Sequence, residues 1–266
     1  GEAVDAALNV SVPSNEVAQK AEPKLVNVTF RVKVPQETPA NAIVYIAGGT
    51  LPLEWNPGLT PMTKVGADLW EITLQFLDGT NLEYKFVRGS WERVEWWGSI
   101  TSVANRRTTI SYGATGSQLV DNTATDWGNG ADDTKAVQYW RDPLVASTSP
   151  AADASVTSPA TVTATFSRSV QPLQSSDYSA SIVVSANGAP VAGTVTSADN
   201  LTLVWTPAAP LGTGTYQATV FNVRSNLSND SVSMQAPYVF SFTATAQNGP
   251  VLVFDGQHQV RLPVVH

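Results

Sequence analysis

At 266 residues the chain has length for two domains, and a hydrophobic fraction of 42% with eight Trp supplies material for real cores. A formal net charge of -7, with no concentrated basic segment, excludes a nucleic-acid or anionic-membrane surface. The absence of Cys excludes disulfides, thiolate catalysis and Cys-type zinc sites, and no apolar run approaches the 18 or so residues of a membrane span.

Residues 1–23 have little pattern and read as a tail or the remnant of a preceding domain. From there period-2 alternation dominates, so the expectation is an all-β chain. VNVTFRVKV (26–34) sets Val26, Val28, Phe30, Val32 and Val34 on one face against Asn27, Thr29, Arg31 and Lys33. AIVYIAG (42–48) suits a strand buried on both sides. LWEITLQF (69–76) and NLEYKFV (81–87) alternate around Asp78-Gly79, a hairpin signal. RTTISYG (107–113) closes the series. Residues 114–135, rich in Asp, Asn and Gly, read as loop, and the following stretch with Pro143 and Pro150 reads as a linker. TVTATFS (161–167), SIVVSAN (181–187), LTLVWTP (201–207), TYQATVFNV (215–223) and YVFSFTATA (238–246) then repeat the β pattern with fewer aromatics. The expected fold is two β-sandwich domains, over 24–141 and 142–246. Residues 247–266 read as a C-terminal tail or the start of a next domain.

The stretch GSWERVEWWGSITSVANRR (89–107) holds three Trp within seven residues. Read as a strand, it places Trp91, Arg93, Glu95 and Trp97 on one face and Glu92, Val94 and Trp96 on the other. Neither face is cleanly apolar, so a large indole is left for solvent or a ligand. Trp55 lies in LPLEWNPG (51–58), a loop by its prolines and glycine. Exposed indoles beside polar donors suit sugars, because the C–H face of a pyranose packs on a flat ring while its hydroxyls take hydrogen bonds. By their parity Trp70 and Trp205 belong to cores instead.

The ordered series VNVTFRVKV, VYIAGG, LEWNPG, LWEITLQF, EYKF, VEW and ANR, over about 24–127, resembles the starch-binding domains of carbohydrate-binding module family 20 and related modules of bacterial amylases and pullulanases. The resemblance implies one glucan site made by Trp55, Lys85, Trp96 and Asn105, with Glu95 as a further acceptor and Trp91 and Trp97 as neighbouring contacts. Its partners would be starch or related α-glucan oligosaccharides and an attached glycoside hydrolase domain in a larger parent protein. The family's second site uses tyrosines that LTPMTKVGAD and VPQETPANA lack. The second half is similar to bacterial immunoglobulin-like domains, usually spacers.

No catalytic constellation stands out. His258 and His266 are the only histidines, which leaves no support for a Ser-His-Asp triad or an HExxH site. DNTATDWGNGADD (121–133) lacks the spacing of a twelve-residue calcium loop and reads as solvated. The expectation is therefore a non-catalytic, secreted or cell-surface monomer without metal or cofactor. Two rivals are an adhesion segment without glycan binding and a β-sandwich enzyme acting on glycans.

Overall fold

The computed structural model describes residues 22–96, 104–126, 133–174, 176–226 and 231–246, with the backbone of Leu252–Phe254 and Gln259–Arg261. Within them the first half carries β1 (Leu25–Lys33), β2 (Tyr45–Gly48), β3 (Thr63–Lys64), β4 (Leu69–Leu77), β5 (Asn81–Val87), β6 (Glu95–Trp96), β7 (Arg106–Thr109), β8 (Ser117–Asn122) and β9 (Tyr139–Trp140). One sheet orders β3-β4-β1-β8 and faces a second ordered β2-β5-β7. β1 pairs antiparallel with β4 from Leu25↔Leu77 to Lys33↔Leu69 and parallel with β8. Its inward residues Val26, Val28, Phe30 and Val32 are wholly buried, as the alternation requires. Between the sheets, the Phe30 ring meets Tyr84 edge-on at 5.3 Å and Phe76 at 6.0 Å, an arrangement favoured by the ring quadrupoles.

Three expectations are corrected here. Asp78-Gly79 is not a hairpin turn, because β4 and β5 lie in different sheets. Gly79, at φ 78°, instead turns a corner, and its N–H donates to Ile110 O across that corner. Residues 114–135 are not all loop: SQLVDN pairs with β1 as the edge strand β8, with Ser117 and Asp121 exposed and the polar Asn122 buried against the Tyr84 hydroxyl. The supposed linker belongs to the core. Trp140 is wholly buried and donates from Nε1 to Thr38 Oγ1 at 2.8 Å, while β9 pairs with β6 as Glu95↔Trp140 and Trp96↔Tyr139.

The second half is a second sandwich. One sheet orders Val145–Ser149, Val162–Phe166, Thr202–Pro207 and Gly193–Thr196. The other orders Ser155–Thr157, Tyr238–Thr245, Gly214–Val220, Ile182–Ala186 and Ala189–Pro190. Trp205 is buried in its core, as its parity predicts. The neighbouring strand must carry Gly193, because a Cβ there would stand 2.4 Å from the indole. Among the described residues no helix is long and apolar enough to cross a membrane.

One polar cluster ties the first sandwich together. Arg106 and Glu95 are both wholly buried. Arg106 Nε donates to both Glu95 oxygens at 3.0 and 2.8 Å, and Nη2 donates to Oε2 at 2.6 Å. Glu95 Oε1 also accepts the Phe86 N–H, and Arg106 Nη1 donates to Lys135 O. The pair thus links β5, β6, β7 and the segment entering β9.

Two variants separate this cluster from ordinary core packing. Glu95→Ala leaves Arg106 as an uncompensated buried charge and should cost about 3–5 kcal/mol in urea unfolding. Trp205→Ala should cost about 3–5 kcal/mol in the second sandwich, with the near-UV signal of the first retained. Equal Cm values for wild type and Glu95→Ala would show that the cluster adds no stability.

Candidate functional site

The loop between β2 and β3 is held from below by Leu53, which is wholly buried. The loop starts at Gly48, where a Cβ would stand 2.8 Å from Glu83 O and 2.9 Å from Leu53, so only glycine fits. Its backbone closes with Gly48 N–H donating to Glu54 O, Leu53 N–H to Thr50 O, and Gly58 N–H to Asn56 Oδ1. This folding leaves the Trp55 ring lying over Gly49, whose Cβ position is 3.2 Å from the indole nitrogen, with its other surface open. Trp55 is 42% exposed.

The second exposed indole is Trp91, at 37%. The sequence reading placed residues 91–97 in one strand. Among the described residues, Trp91–Arg93 instead form a 3₁₀ turn, and the chain is extended from Val94 through Trp96. The turn follows Gly89 at φ 80° and swings Trp91 back toward the Trp55 loop. The rings of Trp55 and Trp91 are 6.2 Å apart at their centroids with planes inclined by 47°. Together they form two adjoining, tilted aromatic surfaces open to solvent.

Trp96 does not join them. It is 3% exposed, stacks on Tyr139 at 6.4 Å and 20°, and carries the Arg168 guanidinium 5.1 Å over its ring. Trp96 is therefore buried rather than exposed as expected, and the indole that stands beside Trp55 is Trp91. Glu95 is corrected likewise, because its oxygens are spent on Arg106 and the Phe86 N–H inside the sandwich. Trp97 and residues 127–132, within the DNTATDWGNGADD stretch, lie outside the described residues.

A polar row runs along β5 and β7. Glu83 and Lys85 share the outward face of β5, the same face of the sheet as Gly49 and the Trp55 ring above it, by the period-2 alternation of paired strands. Asn105 Nδ2 donates to Glu83 Oε2 at 2.9 Å, and Arg107 Nε to Oε1 at 2.8 Å. These bonds, Arg107's first, hold the Glu83 carboxyl below the usual carboxylate range. Lys85 is half-buried and donates from Nζ to Ala104 O at 2.8 Å. Burial pulls its ammonium down to about 8, against opposing pulls from Glu95 and Glu83. Sequence reasoning singled out Lys85 and Asn105 but not Glu83 or Arg107, although Glu83 opens the EYKF motif and Arg107 follows Asn105-Arg106. The arrangement can hold a flat apolar face on two rings while presenting donors and acceptors in fixed positions alongside.

Two family models match the chain. One described as a starch binding domain matches residues 25–120, and one described as a bacterial Ig-like domain matches residues 141–244. Neither is a catalytic domain. An amylopullulanase of Thermoanaerobacter thermohydrosulfuricus is 38% identical over 127 residues, 47% of this chain and 8% of that protein. An amylopullulanase of Thermoanaerobacterium thermosulfurigenes is 35% identical over 127 residues, 47% of this chain and 7% of its own. An alpha-amylase of Niallia circulans is 39% identical over 108 residues, 40% of this chain and 8% of its own. The chain therefore spans less than a tenth of the length of these relatives. The two β-sandwiches stand where these models match: residues 25–120 are similar to the starch-binding domain family and residues 141–244 to the bacterial Ig-like domain family.

Proposed function

We propose that the first sandwich binds α-glucan chains of starch without cleaving them, and that it keeps an attached glycoside hydrolase at its insoluble substrate outside the cell. The observation that carries this reading is the Trp55–Trp91 pair: two exposed indoles, 6.2 Å apart and inclined by 47°. Neighbouring glucoses of a curved α-linked chain turn relative to each other, and planes set at an angle follow that turn. A flat β-linked ribbon wants coplanar rings instead. Each sugar lays its C–H face on an indole, which gives the hydrophobic contact, and its rim of hydroxyls faces the Asn105–Glu83–Arg107 row and Lys85. The relatives named amylopullulanase and alpha-amylase support the attachment to a hydrolase. Tethering acts through effective concentration: modest affinity per site, in the micromolar to millimolar range of about -4 to -8 kcal/mol, suffices when the enzyme is linked to it.

Removing either ring tests the platform. Trp55→Ala and Trp91→Ala should each weaken maltoheptaose binding by about 1–3 kcal/mol in calorimetry, the scale of a stacked aromatic contact. Trp96→Ala should lower stability, with affinity kept in the folded fraction. Cellohexaose should not compete. Retention of both loop variants in a starch-affinity gel, at wild-type mobility, refutes the platform.

Lys85 gives a pH dependence. Its ammonium is a donor to glucan hydroxyls below about 8, so affinity should fall as pH rises from 7 to 9.5, and Lys85→Met should abolish that slope. The sign for folding is the reverse. The folded-state value lies below the unfolded 10.5, so the unfolded chain binds more protons between about 8 and 10.5, and this group's contribution to stability rises with pH there. A flat affinity profile across this range in calorimetry removes Lys85 from the site.

A further inference from the structure

The turn that carries Trp91 is held both from its own sandwich and from the second one. Within its own sandwich it is held by the Val87↔Val94 bridge and by the Arg88 N–H donating to Arg93 O at 3.1 Å. The Arg93 N–H donates to Ser90 O within the turn, and further backbone partners come from the β9 segment, which closes the first sandwich, and from Arg141, where the second match begins. Arg141 Nη1 donates to Trp91 O at 2.9 Å, the Arg141 N–H to Val94 O at 2.9 Å, and the Gln138 N–H to Trp96 O at 2.9 Å. The side chains repeat the pattern. Arg88 forms a buried ion pair with Asp142 at 2.6 Å and lies 5.0 Å over the Trp140 ring. Arg168, from the second sandwich, lies over both Trp96 and Tyr139 and donates to Arg141 O. The outermost contact is between the domains proper: Arg93 Nη2 donates to Gln235 Oε1 at 3.0 Å, and Gln235 Nε2 reaches Glu92 Oε2 at 3.5 Å.

We propose that the Ig-like domain is a positioning element of the glucan site, not only a spacer: by gripping the Trp91–Arg93 turn through Gln235 and the Arg141 segment, it fixes the Trp91 plane at its angle to Trp55. This rests on the glucan reading of that platform. The physical basis is preorganisation. Trp55 is set by its own loop over the buried Leu53. Trp91 stands on a three-residue turn, too short to hold an indole against a ligand by its own hydrogen bonds. Each contact that removes motion from the turn in the free protein reduces the ordering cost on binding. Arg93 and Gln235 touch no sugar; they act through the turn.

The test uses the whole chain with 5-fluorotryptophan, the Trp91 resonance being assigned with Trp91→Phe. Three variants are compared with wild type: Gln235→Ala, Arg93→Glu, and Arg93→Glu with Gln235→Arg. The single variants should weaken maltoheptaose binding about 3- to 10-fold, the scale of one or two lost hydrogen bonds. They should also shift or broaden the Trp91 resonance, and leave far-UV circular dichroism unchanged. The double variant restores a charge-assisted contact across the junction and should recover both readouts. Wild-type affinity and an unmoved Trp91 resonance in Arg93→Glu and Gln235→Ala overturn the proposal. If wild type itself fails to bind maltoheptaose, the glucan reading falls, while the fluorine resonance still decides whether the junction holds the turn.

Discussion

The Glu95–Arg106 pair is the constraint on which the rest of the first sandwich depends. Two opposite charges sit wholly out of water, and that is tolerable only because nearly every polar atom is matched. The carboxylate takes the guanidinium twice over and the Phe86 N–H, and the guanidinium gives its other edge to the Lys135 carbonyl. Directional bonds of this kind have one register. They fix where β6 leaves β5, where β7 returns, and where the segment toward β9 must pass. The Asn105 and Arg107 side chains flank Arg106 and are therefore delivered to the opposite, outward face beside Glu83. A buried interaction thus places an exposed row.

The tryptophans divide by the same logic of what backs each ring. Trp70, Trp96, Trp140 and Trp205 are buried, and each sits on a strand that a sheet holds against a packed layer. Trp55 and Trp91 stand on a loop and a turn, where the backbone supplies a floor but no second layer. Trp55 rests on Gly49, so one face is used for packing and the other left bare. An indole exposed on one face is a costly surface feature for a soluble domain, and two of them in contact make an apolar patch with rigid edges. The polar row on β5 and β7 gives that patch a direction.

The junction between the halves is polar and aromatic at once. Arg168 and Arg88 each lie over aromatic rings, 4.9–5.1 Å from the centroids. The Arg168 contacts, with Arg168 also donating to the Trp140 and Arg141 carbonyls, bind the second sandwich to the first. Part of what family descriptions divide into two modules is shared: Tyr139 and Trp140 follow the residues matched as starch binding domain, yet Trp140 fills that sandwich's core.

By itself the sequence determined the all-β class, the inward faces of β1, β4 and β5, and the burial of Trp70 and Trp205, because period-2 alternation reports directly which side of a strand is apolar. It also determined that Trp55 stands in a loop, since Leu-Pro and Asn-Pro-Gly break any strand, and its ordered motifs identified the family. Only the tertiary structure decided the rest. Alternation names a face but not the partner behind it, so Asp78-Gly79 looked like a hairpin while it turns between sheets, and SQLVDN looked like loop while β1 accepts it as an edge. Trp91 and Trp96 were assigned by parity to a strand that the chain does not build. A 3₁₀ turn after Gly89 rotates Trp91 outward, and the distant Tyr139 and Arg168 close over Trp96. Which indole meets water was set by contacts across 43 to 72 positions of chain, beyond the reach of any local pattern.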